Sequence, residues 1–574
     1  MTTTSRTSDS SRKSKKSKKA APKSRARPAA QSRRAGVAVR MGARTEYRIY
    51  PSIGIARIGN SEASYFIGPE SLRSVPKGPY RDASGILPQA ARFRIYRVDI
   101  DANENEVASA EILPSANVRV EWSVSLANRK AAAPRIEDSL ARAANPRPRN
   151  PGFSRPKLVI EAQGTVQGKN AAQLTLAGSI EFHKGSTKAR VDDIRLGKLS
   201  TDAEGRLLVI GGRGMSGSPL NASIDSFSDN DGWYDSVSDG PVTATLTIGG
   251  ASVPVEPAWV VVTVPRYAPE VYGIVTWYDQ AISMARTDDD GTFDPPRSTS
   301  FTKDIFPILS RADGLHFVHQ GTHAGGQRPL SDGGRLNELQ NDTQARSRLL
   351  AKLTPLNLPA PKPEDRPLWP QGGGFRMPVL YSGANPDAGG STWTYLSLTK
   401  YQFVHVENWV AGNFAADWPG APSAAVPLES LGVAAQPAAL NEAALEACIG
   451  GAFYPGIEGS YDMARVSTYH PQRHLRRDLR MNPSHPAGYL TEKMALPWQA
   501  DFADCADNWW PSQRPVFVTK ADGARAEWAR GITGVQSNRH LNMVQFWSSL
   551  AHVLRKAGGP EFAEVGRKPI NGVS

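Results

Sequence analysis

Both cysteines of this 574-residue chain fall in one stretch, Cys448 to Trp510, and the groups around them are those with chemistry to offer. Cys448 closes a helix-spaced apolar run, Leu440–Ala447, and precedes Gly450-Gly451, a pair that permits left-handed backbone and close approach of another group. Phe453-Tyr454-Pro455-Gly456 then supplies an aromatic wall and a rigid turn. The far end of the stretch holds Trp498, Cys505 and the pair Trp509-Trp510, fixed by Pro511. Glu442, Glu446, Glu458, Asp501, Asp504 and Asp507 supply acids; a carboxylate buried beside an indole would be poised as a base, although most such groups are solvated. The ordinary reading of these residues is a buried free cysteine among core tryptophans. A Cys448–Cys505 disulfide is a second reading, disfavoured in a reducing compartment.

The elements that position this stretch belong to a large globular protein. Apolar residues make up 40% of the chain and charged residues 21%, which supplies ample core and excludes a fibrous or disordered class. The length calls for at least two folded domains. Of the net charge of +13, +12 lies in residues 1–40, where thirteen Lys or Arg face one acid, Asp9. The rest is near neutral, so the folded part presents no basic surface and no specific nucleic-acid partner is expected. The tail itself, residues 1–45, reads as disordered, a solubilising or nonspecifically polyanion-binding segment. No signal peptide and no apolar run of about 18 residues is evident, so a cytoplasmic location is the default, with export by another route left open.

From Glu46 the pattern turns to strands: Tyr47–Asn60, Ala91–Ile100 with a phase change at Ile95-Tyr96, Val118–Val124, Lys157–Ala162, Ala189–Leu196, Leu207–Gly211, Val242–Ile248 and Ala258–Val264. Residues 131–156, rich in Pro, Arg and Asn, read as a surface loop. The acid-rich segment Phe227–Gly240 reads as an ordered loop built on Asx-turns, with calcium binding the less favoured option because an EF-hand register fails. Gly212–Gly217 fits GxGxxG by letters, but no helix pattern follows it, so a hairpin or loop is preferred over phosphate binding. After Arg266 helical spacing appears at Ser300–Arg311, Ser331–Leu353 and Ala438–Cys448, joined by long connectors such as Leu356–Gly374. The fold class expected is α+β and β-rich: an antiparallel β-sandwich-like domain over 46–265, then a helical, loop-rich domain over 266–574.

Several long motifs in this order resemble the L-lysine ε-oxidase and glycine oxidase family. They are Tyr50–Ser61 with Tyr65–Glu70, Gly205–Gly212, the Asp229–Pro241 loop and the two halves of the Cys448–Trp510 stretch, so the likeness spans Glu46 to Phe562. The resemblance implies a quinoprotein whose cofactor, cysteine tryptophylquinone, is made from the chain itself by a thioether crosslink between a cysteine and an oxidised tryptophan. Cys448 matches the cysteine, and Trp509 or Trp510 the tryptophan, with Trp510 preferred. It also implies a companion flavoprotein for maturation and a maturation aspartate four residues before the cysteine, where this chain has Ala444. Glu442 and Glu446 are the candidate substitutes.

The implied activity is that of an amino-acid oxidase: a base removes a proton from the amine-bearing carbon, dioxygen accepts the electrons, and ammonia and hydrogen peroxide leave. Lysine at its ε-amine and glycine-type amino acids at the α-amine are both open as substrates. His474, His485, Asp504 and Asp507 are candidate bases by nearness in sequence, and Arg514 is a candidate for the substrate carboxylate, against an ordinary ion pair. A homo-oligomer is compatible with the sequence. The rival reading is a non-enzymatic binding or structural member of the family without a mature quinone.

Overall fold

Two runs lack the polar alternation of a half-exposed strand. Ile53–Arg57 and Ala258–Thr263 are buried at every position, and they pair in parallel, Trp259 opposite Ile53 and Thr263 opposite Arg57. A strand covered on both faces has no polar side to display, which is why its sequence reads as a continuous apolar run. Around this pair the computed structural model builds a 14-stranded sheet. It describes residues 43–570 apart from 77, 103–104, 137, 139–144, 320–338, 351–397, 451–457, 474–478, 505–509, 533–537 and 558–560. The basic tail, the start of Ser331–Leu353 and the 356–374 connector therefore lie outside the described residues.

The sheet runs in the order Ile160–Gln167, Val118–Asn128, Ser238–Ile248, Ala258–Thr263, Ile53–Arg57, Gln89–Ile100, Leu207–Gly211, Thr187–Thr201 and Leu174–Lys184. Most pairings are antiparallel, and the path bends until its two ends nearly meet, giving the packed, sandwich-like core. At that seam a Cβ on Gly178 would lie 2.6 Å from the Glu161 carbonyl, so only glycine lets the ends approach. The phase change read at Ile95-Tyr96 is a register shift two residues later, between Arg97 and Val98. The strand Leu174–Lys184 is an addition to the expected set.

Residues 131–156 depart from the expected surface loop, because Arg149 and Asn150 are fully buried. Arg149 Nε donates to Asp229 Oδ1 at 2.7 Å, and the Asn150 amide N–H donates to Asp231 Oδ1 at 2.6 Å. The acid-rich loop thus spends its carboxylates on cations and backbone, Asp231 also pairing with Arg135 at 2.8 Å. Gly212–Gly217 ends in a short strand, Ser216–Gly217, paired with Tyr234–Asp235 across a long loop.

The second half is helical and loop-rich, and it is fastened to the sheet by polar contacts. Asn441 Oδ1 accepts from the Ser52 amide and hydroxyl, and Asp239 accepts from the Leu490 and Thr491 amides. Lys130, fully buried, donates to Asp235 at 2.7 Å and to the Ala495 carbonyl at 2.9 Å. Asp235 also accepts from the Trp498 amide at 3.1 Å and so sets the start of helix Trp498–Asp504. Removing one partner of a buried pair strands the other charge, so Lys130→Met is expected to cost about 3–5 kcal/mol, read as a lower denaturant midpoint, with most of the loss recovered in Lys130→Met/Asp235→Asn.

Candidate functional site

The helix Gln436–Glu446 runs with Pro437 in its first turn and ends at Ala447, which delivers Cys448 to the interior. Beyond it the chain lies against the segment leading into helix Trp277–Ala285. The Trp277 amide donates to the Cys448 carbonyl at 3.1 Å, and the Gly450 amide donates to the Val275 carbonyl at 2.9 Å. A Cβ on Gly450 would sit 2.4 Å from the Thr276 carbonyl. Close backbone approach, as the glycine pair suggested, is what this position requires.

Cys448 is a buried free thiol. Arg57, the last residue of the central strand, points at it: Nη2 lies 3.5 Å from Sγ and donates to the Ala447 carbonyl at 3.0 Å. Nη1 donates to Glu458 Oε1 at 2.7 Å and to the Val264 carbonyl at 2.9 Å. Glu458 Oε2 in turn accepts from the Ile449 amide at 2.6 Å. One guanidinium thereby joins the sheet, the end of a helix, the thiol and a carboxylate. Burial pushes the Cys448 thiol well above its ordinary range and the Glu458 charge adds to this, while Arg57 and Arg266 pull the other way.

Cys448 belongs to a second core cluster, whereas Trp510 lies at the other end of the stretch, in the main core cluster. It is buried and opens a turn in which its carbonyl accepts from the Gln513 amide at 2.9 Å and the Arg514 amide at 3.0 Å. Gln513 Nε2 donates to the Pro265 carbonyl at 2.8 Å and approaches the Val264 carbonyl at 3.4 Å, and the Tyr267 amide donates back to Gln513. Val264 therefore takes one hydrogen bond from the residue that grips Cys448 and one from the turn that carries Trp510.

The other expected residues are placed apart from this junction or lie outside the described residues. His474, Cys505, Asp507 and Trp509 are outside them. His485 stacks on Tyr489 at 3.6 Å and its Nε2 contacts the Ser467 carbonyl at 2.8 Å. Asp504 pairs with Arg539 at 2.6 Å and with His540 at 2.9 Å. Arg514 Nε donates to the Phe502 carbonyl at 2.7 Å and Nη1 to the Pro515 carbonyl at 3.1 Å, which ties the backbone of the Trp510 turn.

Glu442 and Glu446 occupy a separate acidic cluster. Arg311 pairs with Glu446 and, at 2.9 Å, with Asp279, whose Oδ2 accepts from the Thr276 amide and hydroxyl. Ala444, between them on the helix, lines a small cavity, about 20 Å³, shared with Gly54, Glu70 and Gln89. A second small cavity, about 20 Å³, lies beside the junction, lined by Arg57, Arg266, Tyr80, Gln89, His552 and Ala447 among others. Arg57 and Arg266 were missed in the sequence; the signal was a lone guanidinium within or just after an otherwise apolar strand.

Comparison with known proteins gives a consistent result. The L-lysine epsilon oxidase N-terminal model matches residues 50–262, and the L-lysine epsilon oxidase C-terminal domain model matches residues 379–521. An L-lysine 6-oxidase from Marinomonas mediterranea is 25% identical over 544 residues, covering 80% of this chain and 70% of that protein. The fold is shared with two solved structures from the same organism. One is the Schiff base intermediate of L-Lys epsilon-oxidase with L-Lys, at a TM-score of 0.70 and 22% identity, covering 91% of this chain and 95% of that one. The other is the epsilon-lysine oxidase, at 0.69 and 21%, with the same coverage.

The acidic cluster makes a pH prediction. Burial, and then the Glu446 charge, raise Glu442 to about 7. A carboxyl raised in the folded state contributes stability that is fully present below its unfolded value, near 4.5, and is lost as pH rises through about 7. Glu442→Gln is therefore expected to melt higher than the parent chain at pH 8, with the difference closing by about pH 4.5. Equal melting temperatures across that window would contradict the assignment.

Proposed function

The chain belongs to the L-lysine ε-oxidase family, whose members are amino-acid oxidases, and from that premise we propose that it is a cysteine tryptophylquinone-dependent oxidase. Its reaction is oxidative deamination of an amino acid, at a lysine ε-amine or a glycine-type α-amine, with dioxygen as electron acceptor and ammonia and hydrogen peroxide as products. The single observation carrying this reading is that Arg57, which donates toward the Cys448 thiol, and Gln513 of the Trp510 turn both bond the 264–267 segment. Sulfur and indole are both buried, which suits a crosslinked ring that must be kept from bulk water. Cys448 and Trp510, with Trp509 as the alternative, are the residues that would form the group.

When formed, the quinone supplies an electrophilic carbonyl for the amine and a sink for the electron pair leaving the substrate. The chain's own side chains do the rest. Arg57 donates toward Sγ and offsets the cost of a thiolate in a dry site, which favours loss of the thiol proton during crosslinking. Glu458 holds Arg57 in that position and is the carboxylate sharing a guanidinium with the thiol. Glu442 and Glu446 are engaged with the Arg311 cluster, so Glu458 suits the role vacated at Ala444 better than either. A companion flavoprotein is the partner proposed to complete ring oxidation.

Intact mass of the chain co-produced with its flavoprotein tests the proposal. The expected product gains the quinone oxygens and loses the thiol and ring hydrogens, and peptide mapping joins Cys448 to Trp510 or Trp509. An unmodified mass under those conditions would favour the non-enzymatic reading. Cys448→Ser should lose the quinone absorbance and peroxide release while staying folded, at a stability cost of about 1–3 kcal/mol for the buried hydroxyl.

A further inference from the structure

The end of the helix that delivers Cys448 carries charge of the wrong sign. Glu442 and Glu446 stand four residues apart on Gln436–Glu446, so their carboxyls share one helix face, and no basic residue lies in the last turn. Like charges at this spacing repel, and the C-terminal end of a helix, itself the negative pole of the dipole, disfavours both. Among the described residues one cation is paired with this group: Arg311 bonds Glu446 Oε1 and, at 2.9 Å, Asp279. Three carboxyls thus meet a single paired guanidinium.

Two of their groups are left over. Glu446 is 5% exposed, and its Oε2 is buried with no hydrogen-bond partner among the described residues. Glu442, half-buried, forms neither a hydrogen bond nor an ion pair among them. Besides Glu446, the groups facing Glu442 are Asp279 and Tyr278 of helix Trp277–Ala285, Arg311 of helix Phe306–Gly314, Tyr401 of helix Lys400–Ala411, and Arg73. Arg311 is already shared by two acids, and Arg73 lies over the Phe306 ring at 5.7 Å, so neither cation is spent on Glu442. A carboxyl in that setting holds a proton: burial, and then the Glu446 charge, raise Glu442 to about 7. In its protonated form it is a donor, one helical turn from a buried acceptor that lacks one.

We infer that Glu442 and Glu446 share one proton across the helix face, the Glu442 hydroxyl donating to Glu446 Oε2, and that the pair is a pH-sensitive clamp on the segment carrying Cys448. Like carboxyls brought together share a proton because both cannot ionise cheaply. When that proton passes to solvent, the donor to Oε2 is lost and two charges face each other with Asp279 beyond them. Ala444, Leu445 and Cys448 share one core cluster with Trp277 and Ala281 of the helix that supplies Asp279, so repulsion between the two helices reaches the thiol. Arg57 still holds the Ala447 carbonyl, which keeps the opening local. A carboxyl raised in the closed state stabilises that state at low pH and ceases to do so as pH rises through its folded value. The clamp therefore holds below neutrality and slackens above it, whether or not a quinone forms.

Backbone hydrogen exchange over residues 436–447, followed by mass spectrometry on the full chain and corrected for the intrinsic effect of pH, tests the clamp. Exchange in the parent is expected to quicken about 10-fold from about pH 6 to about pH 8. Glu442→Gln keeps a donor for Oε2 and carries no charge, so its exchange should stay slow at both. Glu442→Ala keeps neither donor nor charge and should exchange faster than Glu442→Gln, with no change between the two conditions. Alkylation of Cys448, told from Cys505 by peptide mapping, should rise about 10-fold more in the parent than in Glu442→Gln over the same interval. An infrared band of a protonated carboxyl that the parent shows at the lower pH and loses at the higher one gives the same answer where a variant does not fold. Parent exchange that ignores pH, or an equal acceleration in Glu442→Gln, overturns the inference, as does the absence of that band.

Discussion

The interaction on which this structure turns is the reach of the Arg57 guanidinium. It sits at the end of the most deeply covered strand and spends its donors on Val264, Ala447, Glu458 and the Cys448 sulfur. Those partners come from both ends of the chain, so the thiol is aimed by the sheet and not by its own helix alone. Loosening Arg57 would release the helix end, the carboxylate and the sulfur together. A charge that many segments share is expensive to bury and correspondingly specific about which arrangement satisfies it.

Buried charge pairs recur in both halves, and those of Lys130 and Arg149 also bond backbone of the loop-rich half at Met494, Ala495 and Trp498. Lys130 with Asp235, Arg149 with Asp229 and Arg311 with Asp279 and Glu446 are all buried pairs, each reinforced by backbone contacts. An apolar interface would hold these loops as firmly but would tolerate sliding. Paired charges with fixed hydrogen-bond geometry admit one register, which a site assembled from long irregular segments needs. The described residues of the Cys448–Trp510 stretch hold only short helices, and these fastenings help to fix their position.

How far the sequence could be read follows from the range of the forces involved. Strands announced themselves where one face alternates or both are apolar, and Leu207–Gly211 has the expected bounds. Leu174–Lys184 escaped because Ala177-Gly178-Ser179 interrupts its pattern, and the glycine is there for a neighbour reached only when the sheet closes. Residues 131–156 looked like a surface loop because their Arg and Asn find acids far along the chain. The thiol and the tryptophan turn were legible as unusual residues, and the resemblance supplied their meaning. Arg57 and Arg266 were not, since a lone arginine in an apolar strand gains its significance from partners that spacing does not reveal.

The separation of those partners sets an order of events during synthesis. Arg57 emerges from the ribosome long before Glu458, and Val264 long before Gln513, so the pocket around the sulfur has no walls until the chain is nearly complete. Contacts of such long range form late in folding. Until then the cysteine is an ordinary exposed thiol, open to stray oxidation, with no guanidinium to steer it. Completion of the chain beyond Cys448, through Glu458 and Gln513, thus acts as the gate on any chemistry at the sulfur, and a product truncated just after Cys448 would carry it without that setting.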